Sequence, residues 1–374
     1  MTLRAAVAVA TLGLILNACG GTASAPASTA PESPAVTNNS ALQKVVDAAK
    51  QEGQLNLVWG TGNIGDTSGN IDAFVTGFNN TYGTAIKVNY TIGPSMAEFV
   101  TKTVQAVQGG RAPDSDLVLG YGGNMYTLSQ GGALQPTDWS WAPNIKDPAM
   151  LAPDGMAVTV QDGIPGITYN TKRLTGDQVP HSMQDLLKPA YKGHLASTPY
   201  AAHFSEMASD QVWGDQKLFD WLQTFGQQLG GFIRCNETDR IASGEFDALA
   251  LDCSQNLAWL ARDRGAPVDF VVPSDAAMLD SIYLAVPKGS AHPNAAKLFV
   301  NYMVSTEAQA LMYKQDLADT HFVPGSQTAL LVSKLQAQGV KFTVVDLQWL
   351  LAQGTKQGDR DKRANQVFQT FLKK

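Results

Sequence analysis

The 374-residue sequence has little of what marks several functional classes. Charged residues make up only 16% of it, and 27 Lys and Arg face 33 Asp and Glu, for a net charge of −6. There is no basic run, so a nucleic-acid partner is not expected. The five histidines, His181, His194, His203, His292 and His321, show no H-E-x-x-H spacing. A G-x-S-x-G elbow and a Walker A loop are also missing, so no enzyme activity and no cofactor are expected. Beyond the N-terminus no apolar run reaches the ~18 residues a membrane span needs. Cysteines number three, and no histidine lies near Cys235 or Cys253 in sequence, so no metal site is expected.

What is present begins at the N-terminus. Arg4 precedes a short apolar run, 5–16, and then comes Leu16-Asn17-Ala18-Cys19-Gly20-Gly21. This resembles a bacterial lipobox, in which the signal peptide 1–18 is removed and Cys19 is acylated. Residues 20–39 are Ala, Ser, Thr, Pro and Gly with Glu32 as the one charge, which reads as a tether, 19–39. The folded domain is then expected outside the cytoplasm, held at a membrane through the lipid anchor only. Removing Cys19 from the count leaves an even pair, and in an exported protein Cys235 and Cys253 are expected to form a disulfide.

From residue 40 the sequence reads as strand–helix alternation. Ser40 with Gln43 fits a capping box, Leu42, Val45, Val46 and Ala49 follow helical spacing, and Gly53 ends the helix. Leu55, Leu57 and Trp59 alternate as a strand. Helical stripes at 71–78, 99–107 and 124–130 separate strands at 86–91 and 117–119. A second block, 166–272, has strands at 166–169, 195–197, 248–251 and 268–272, with helices at 215–229 and 255–264. The chain returns through a strand at 282–286 to helices from Pro293 onward. This spacing implies doubly wound, mostly parallel sheets. There is no internal repeat.

Several phrases resemble bacterial extracellular solute-binding proteins, the receptors of ABC importers, and among these the ferric-ion, thiamine and polyamine group. They are Ala48-Ala49-Lys50-Gln51-Glu52-Gly53, Gly131-Gly132-Ala133-Leu134, Ile167-Thr168-Tyr169-Asn170-Thr171 and Pro189-Ala190-Tyr191-Lys192-Gly193. Ser243-Gly244-Glu245, Ala291-His292-Pro293-Asn294-Ala295-Ala296-Lys297 and Ser305-Thr306-Glu307-Ala308-Gln309 follow in the family's order. The resemblance implies a type II periplasmic-binding fold: two doubly wound α/β lobes joined by crossing strands, with solute in the cleft. The lobes are expected at 40–160 plus 280–374 and at 161–279. The implied partners are a small-molecule solute and an ABC permease, and the receptor is expected to be a monomer.

Candidate binding residues follow from the strand ends. Gly60, Gly62 and Gly65 form a G-x-G-x-x-G, but four residues separate the last glycine from the helix and no acidic residue ends the next strand. The dinucleotide reading therefore fails. The loop, with Thr61, Gly62 and Asn63, instead brings backbone N–H groups to a solute. Trp59, Tyr121 and Tyr169 stand at or just past strand ends, where rings stack on an organic solute or attract a cation. Core packing is the competing reading, above all for Trp59. Tyr200 and His203 precede a helix start. Asn236 follows Cys235, and Asp252 and Ser254 flank Cys253, so a disulfide holds these loops beside the cleft. Asp275 and Asp280 sit where the chain recrosses. With Asp66 and Asp252 they give the cleft a negative lining, against Arg234 as the nearby cation, which favours a neutral or cationic solute. Iron receptors of this type have adjacent tyrosines. None occur here, and Asn63 stands where a histidine is expected, so a ferric-ion receptor is the alternative. A sensor or interaction lipoprotein is the alternative of another class.

Overall fold

The computed structural model describes residues 40–59, 64 and 71–373. Cys19, the tether and the loop residues Thr61, Gly62 and Asn63 lie outside the described residues.

The chain opens as α1 (Ser40–Glu52), β1 (Gln54–Trp59), α2 (Ile71–Tyr82), β2 (Lys87–Ile92), α3 (Met96–Gln108), β3 (Val118–Tyr121) and α4 (Gly122–Gln130). Leu42, Val46 and Ala49 bury one face of α1, and Gly53, at φ +66°, ends it in a conformation that costs other residues more. Leu55, Leu57 and Trp59 bury one face of β1, which pairs in parallel with β2. β4 (Val158–Gly163) then crosses to β5 (Gly166–Asn170), β6 (Leu195–Ser197), α5 (Phe204–Met207), α6 (Asp215–Phe225), β7 (Leu229–Phe232), α7 (Thr238–Ala242), β8 (Ala248–Asp252), α8 (Gln255–Asp263) and β9 (Val268–Val271). The chain recrosses on β10 (Met278–Ala285) to α9 (Pro293–Met303), α10 (Thr306–Asp316) and α11 (Gln327–Ala337). It ends with β11 (Thr343–Val345), α12 (Leu347–Gln353) and α13 (Thr355–Phe371).

Two apolar cores result. The first gathers Leu55, Leu57, Trp59, Phe74, Phe78, Phe299 and Tyr302. The second gathers Phe204, Trp221, Leu222, Phe225, Ala250 and Phe368. Each fully buried Phe or Leu contributes roughly 1.5–3 kcal/mol, so either core contains enough apolar surface to act as a folding centre. β4 and β10 are buried along their whole lengths and pair antiparallel to one another, which makes them the bridge between the cores.

Several expectations are corrected. The sheets are mixed: β10 runs antiparallel to β3 and β4, and β5 runs antiparallel to β8 and β9. The helix expected at 215–229 stops at Phe225, and Gly230 and Gly231 lie in β7. A Cβ at Gly230 would stand 2.2 Å from the Gly193 carbonyl oxygen, and one at Gly231 2.7 Å from the Phe246 ring. Close approach of backbone and ring requires both glycines. β4 carries no alternation, because both faces of a crossing strand are covered, so it is not evident from polarity. α12 and α13 place Trp349, Ala364 and Phe368 in the second core, and Arg360 of α13 forms an ion pair with Asp215 of α6 at 3.1 Å.

Candidate functional site

The bridging strands converge at one end on a polar cavity. β10 pairs Ile282 with Tyr121 of β3 and with Gln161 of β4, and all three side chains line it. Opposite them stands the turn from β8 into α8, with Cys253, Ser254, Asn256 and Leu257. Ile64 contributes from the loop after β1. The cavity between the walls measures about 90 Å³ and is open to solvent on one side. Among the described residues no lysine, arginine or histidine lines it.

Tyr121 is half-buried, and burial together with the Asp280 carboxylate pushes its hydroxyl above the ordinary tyrosine range. Asp280 pairs with Gly163 in the strand register, on the same face as Ile282. A Cβ at Gly163 would lie 3.8 Å from the Asp280 Cβ and 3.5 Å from the Ser254 Oγ. Gly163 therefore brings Asp280 and Ser254 close together at the strand crossing. His203 approaches Asp280 with Nδ1 at 3.4 Å from its Oδ2, and it bonds the Cys253 backbone. Burial pulls this imidazole down to about 4 despite that bond, so it is neutral at pH 7. Burial, then the charges of Glu206 and Asp162, hold Asp280 well above the usual carboxylate range.

The disulfide joins Cys235 to Cys253, with Cα atoms 5.7 Å apart, and ties the 233–237 loop to the α8 turn. Tyr200, on the exposed rim, accepts from the Cys235 N–H at 3.4 Å, and Asn236 is exposed in the same loop. Asp252 is fully buried. Its carboxylate accepts from Thr168 Oγ1 at 2.5 Å and from the Cys253 N–H at 2.7 Å, while burial pushes it up to about 7. It braces the turn from behind. Ser254 is buried at the start of α8, and its Oγ donates to Gln255 Oε1 at 2.8 Å.

Three expected residues are not brought to this place. Trp59 is 1% exposed, donates from Nε1 to the Leu117 carbonyl at 3.0 Å and belongs to the first core. Tyr169 pairs with Ala248 and Asp269, whereas Gly166, at the other end of β5, pairs with Asp252. Three residues at about 3.3 Å put Tyr169 roughly 10 Å from the cavity end of the sheet. Because β5 opposes β8, its carboxyl end points away from the site. Asp275 accepts the backbone N–H groups of Met183 and Gln184 at 2.8 and 3.3 Å, so it holds a turn. Conversely, Gln161, Asn256 and Asp316 line the cavity and escaped sequence reasoning. Asn256, two residues past Ser254 in a helix start, had the one usable signal. Asp316, at the end of α10, had none.

Two cores bridged by buried strands, with a polar cavity at the crossing, define a binding protein of the type II periplasmic class. The chain belongs to the bacterial extracellular solute-binding protein family, whose pattern matches residues 73–343. It is therefore a solute-binding protein and not an enzyme. A Haemophilus influenzae protein called uncharacterized is 29% identical over 164 residues, 41% of this chain and 46% of that protein. The chain thus spans less than half the length of that relative. In fold it is similar to the substrate-binding protein of an ABC transporter from Agrobacterium tumefaciens, with TM-score 0.67 and 18% identity over 84% of this chain and 95% of the other. Ferric ion-binding protein A of Pasteurella haemolytica gives TM-score 0.65 and 14% identity over 86% and 98%. The periplasmic binding protein AfuA of Actinobacillus pleuropneumoniae, solved with fructose-6-phosphate, gives TM-score 0.62 and 20% identity over 86% and 98%.

Proposed function

We propose that this protein is a lipid-anchored, monomeric receptor that captures a small polar organic solute, neutral or cationic, and delivers it to an ABC permease. The observation that carries this reading is the cavity at the strand crossing, walled by both halves of the molecule and lined by Tyr121, Gln161, Asn256 and Asp316 with no cationic side chain among the described residues. Residues 40–160 with 280–345 form one lobe and 161–279 with 346–373 the other, closing on solute by bending at the crossing strands. An organic solute fits better than ferric ion. Among the described residues, the one His, Cys, Asp and Glu set close enough to share an ion is Cys235, Asp252 and Cys253, and its sulfurs are bonded to each other.

A thermal-shift screen of the protein against amines, sugars, amino acids, phosphonates and ferric salts identifies the solute. Tyr121→Ala is then expected to weaken it by about two- to thirtyfold in titration calorimetry, the 0.5–2 kcal/mol of one stacking or cation–π contact. Tyr169→Ala is expected to leave affinity unchanged, because that ring lies at the far end of its strand. Equal affinity in the Tyr121 variant would move the site. A visible charge-transfer band with ferric salt, lost in the same variant, would overturn the organic reading.

The anchor is tested separately. Cys19→Ala is expected to shift the protein from the membrane fraction to the soluble fraction. Retention on membranes after a salt and carbonate wash would show that Cys19 is not the anchor.

A further inference from the structure

The three strands that meet at the crossing set one row of side chains toward the cavity. Ile282 of β10 pairs with Tyr121 of β3 on one side and with Gln161 of β4 on the other, so ring and carboxamide flank it on strands about 5 Å away. Gln161 is 8% exposed and lines the cavity, yet its carboxamide has no hydrogen-bond partner among the described residues. Buried carboxamides elsewhere in the chain are committed to the fold. Gln309 donates to the carbonyls of Val160 and Met303 at 2.9 and 2.7 Å and accepts the Thr320 N–H at 2.8 Å. Asn301 accepts the Asn144 N–H at 3.1 Å and donates to the Tyr82 hydroxyl at 2.6 Å, and Gln255 accepts the Ile164 N–H at 2.8 Å. A buried amide left without partners destabilises a fold. Opposite Gln161, in the turn into α8, Asn256 is half-buried in the same lining, and its carboxamide is likewise unpartnered among the described residues.

We infer that Gln161, with Asn256 across the cavity, reads a neutral planar amide group of the solute: a carboxamide, urea or lactam with adjacent N–H and C=O. This rests on the reading of the cavity as the solute site and narrows that solute to an uncharged amide. A carboxamide holds an acceptor oxygen beside donor N–H groups in one plane, so it matches the edge of another amide at two points. An ammonium offers no acceptor to the carboxamide N–H groups, and a carboxylate offers no donor to their oxygens.

The remaining walls favour the same class. Ile64, Leu119, Leu257 and Ile282 are aliphatic, and a flat group lays its faces on them and on the Tyr121 ring while its polar edge reaches the two carboxamides. A polyol of the same size turns hydroxyls onto those walls, where they find no partner. Asp316, the one carboxylate of the lining among the described residues, is 4% exposed and already engaged, and its charge opposes an anion. A cavity of about 90 Å³ takes an amide and the carbons next to it, with the rest of a larger solute on the open side.

The test uses the full chain in mild detergent. A thermal-shift panel sets propionamide, methylurea and butyrolactam against propionate, propylamine and glycerol. Stabilisation by the amides and by none of the others is expected. For the strongest amide, Gln161→Leu should weaken binding about five- to hundredfold in calorimetry, the loss of two neutral hydrogen bonds. Gln161→Glu keeps the shape but replaces the N–H donors with an acceptor, so it should lose the amide and gain propylamine. A merely structural role would not exchange one preference for the other. Because the Gln161 carboxamide bonds no other described residue, Gln161→Leu should not lower the melting temperature without solute, which separates the effect from misfolding. Unchanged amide affinity in both Gln161 variants, with Tyr121→Ala weakened, would overturn the role of Gln161 and leave the site intact. Unchanged affinity in Tyr121→Ala as well would overturn the site. No stabilisation by any amide probe would overturn the amide assignment, whether or not another probe binds.

Discussion

Phe368→Ala is expected to destabilise the protein by about 3–5 kcal/mol, the range for emptying a buried aromatic position. The ring is fully buried, 5.0 Å from Phe204 and 5.5 Å from Phe371 between centroids. It closes the second core from α13, and Phe204 directly follows His203, which bonds the backbone of the cavity residue Cys253. The cavity left behind therefore reaches both stability and site. Denaturant unfolding measures the first, and the affinity of the variant for its solute the second. A loss below about 1 kcal/mol would show that α13 is a covering element and no part of the core.

Opening the disulfide is the other large effect. The bond closes a loop of 18 residues between Cys235 and Cys253, and the chain-entropy relation assigns such a loop roughly 3 kcal/mol. The paired Cys235→Ser and Cys253→Ser variant is expected to lose about that amount in urea unfolding. Reductant should shift the native midpoint by a similar step and leave the double variant unmoved. Alkylation of the denatured, unreduced protein should add no label. Two labels would show that the thiols are free. Because Cys253 lines the cavity, solute affinity should fall in the double variant as well.

Parts of this architecture are written in local patterns. The 3–4 spacing of Leu42, Val46 and Ala49 and the alternation of Leu55, Leu57 and Trp59 report one-sided burial, so α1 and β1 are legible where they stand. Tyr121 is legible too, as a ring at the end of a short apolar strand that feeds a glycine-led helix. Strand direction is not local. Tyr169 looks like Tyr121 in sequence, and only the antiparallel pairing of β5 with β8 removes it from the site. The crossing strands β4 and β10 were missed or shortened because covering both faces erases alternation. Asp275 and Asp280 lie five residues apart, one holding a turn and one buried beside His203. Nothing in charge or spacing separates them. Which carboxylate is satisfied depends on N–H groups contributed by residues some ninety positions away, such as Met183.

The placement of α13 bears on how the chain is made. Residues of the second core begin at Ile167, yet Phe368 and Ala364 complete it from the last helix of a 374-residue chain. Each core joins residues far apart in sequence, the first reaching from Leu42 to Met312 and the second from Ile167 to Phe368. Contacts between residues this far apart slow folding and delay the collapse of a nascent chain. For the lipid-anchored receptor proposed above, that delay keeps the chain unfolded while it crosses the membrane. Circularly permuting the gene so that α13 precedes β5 should speed refolding, and it should also leave more precursor trapped, folded, on the wrong side of the membrane.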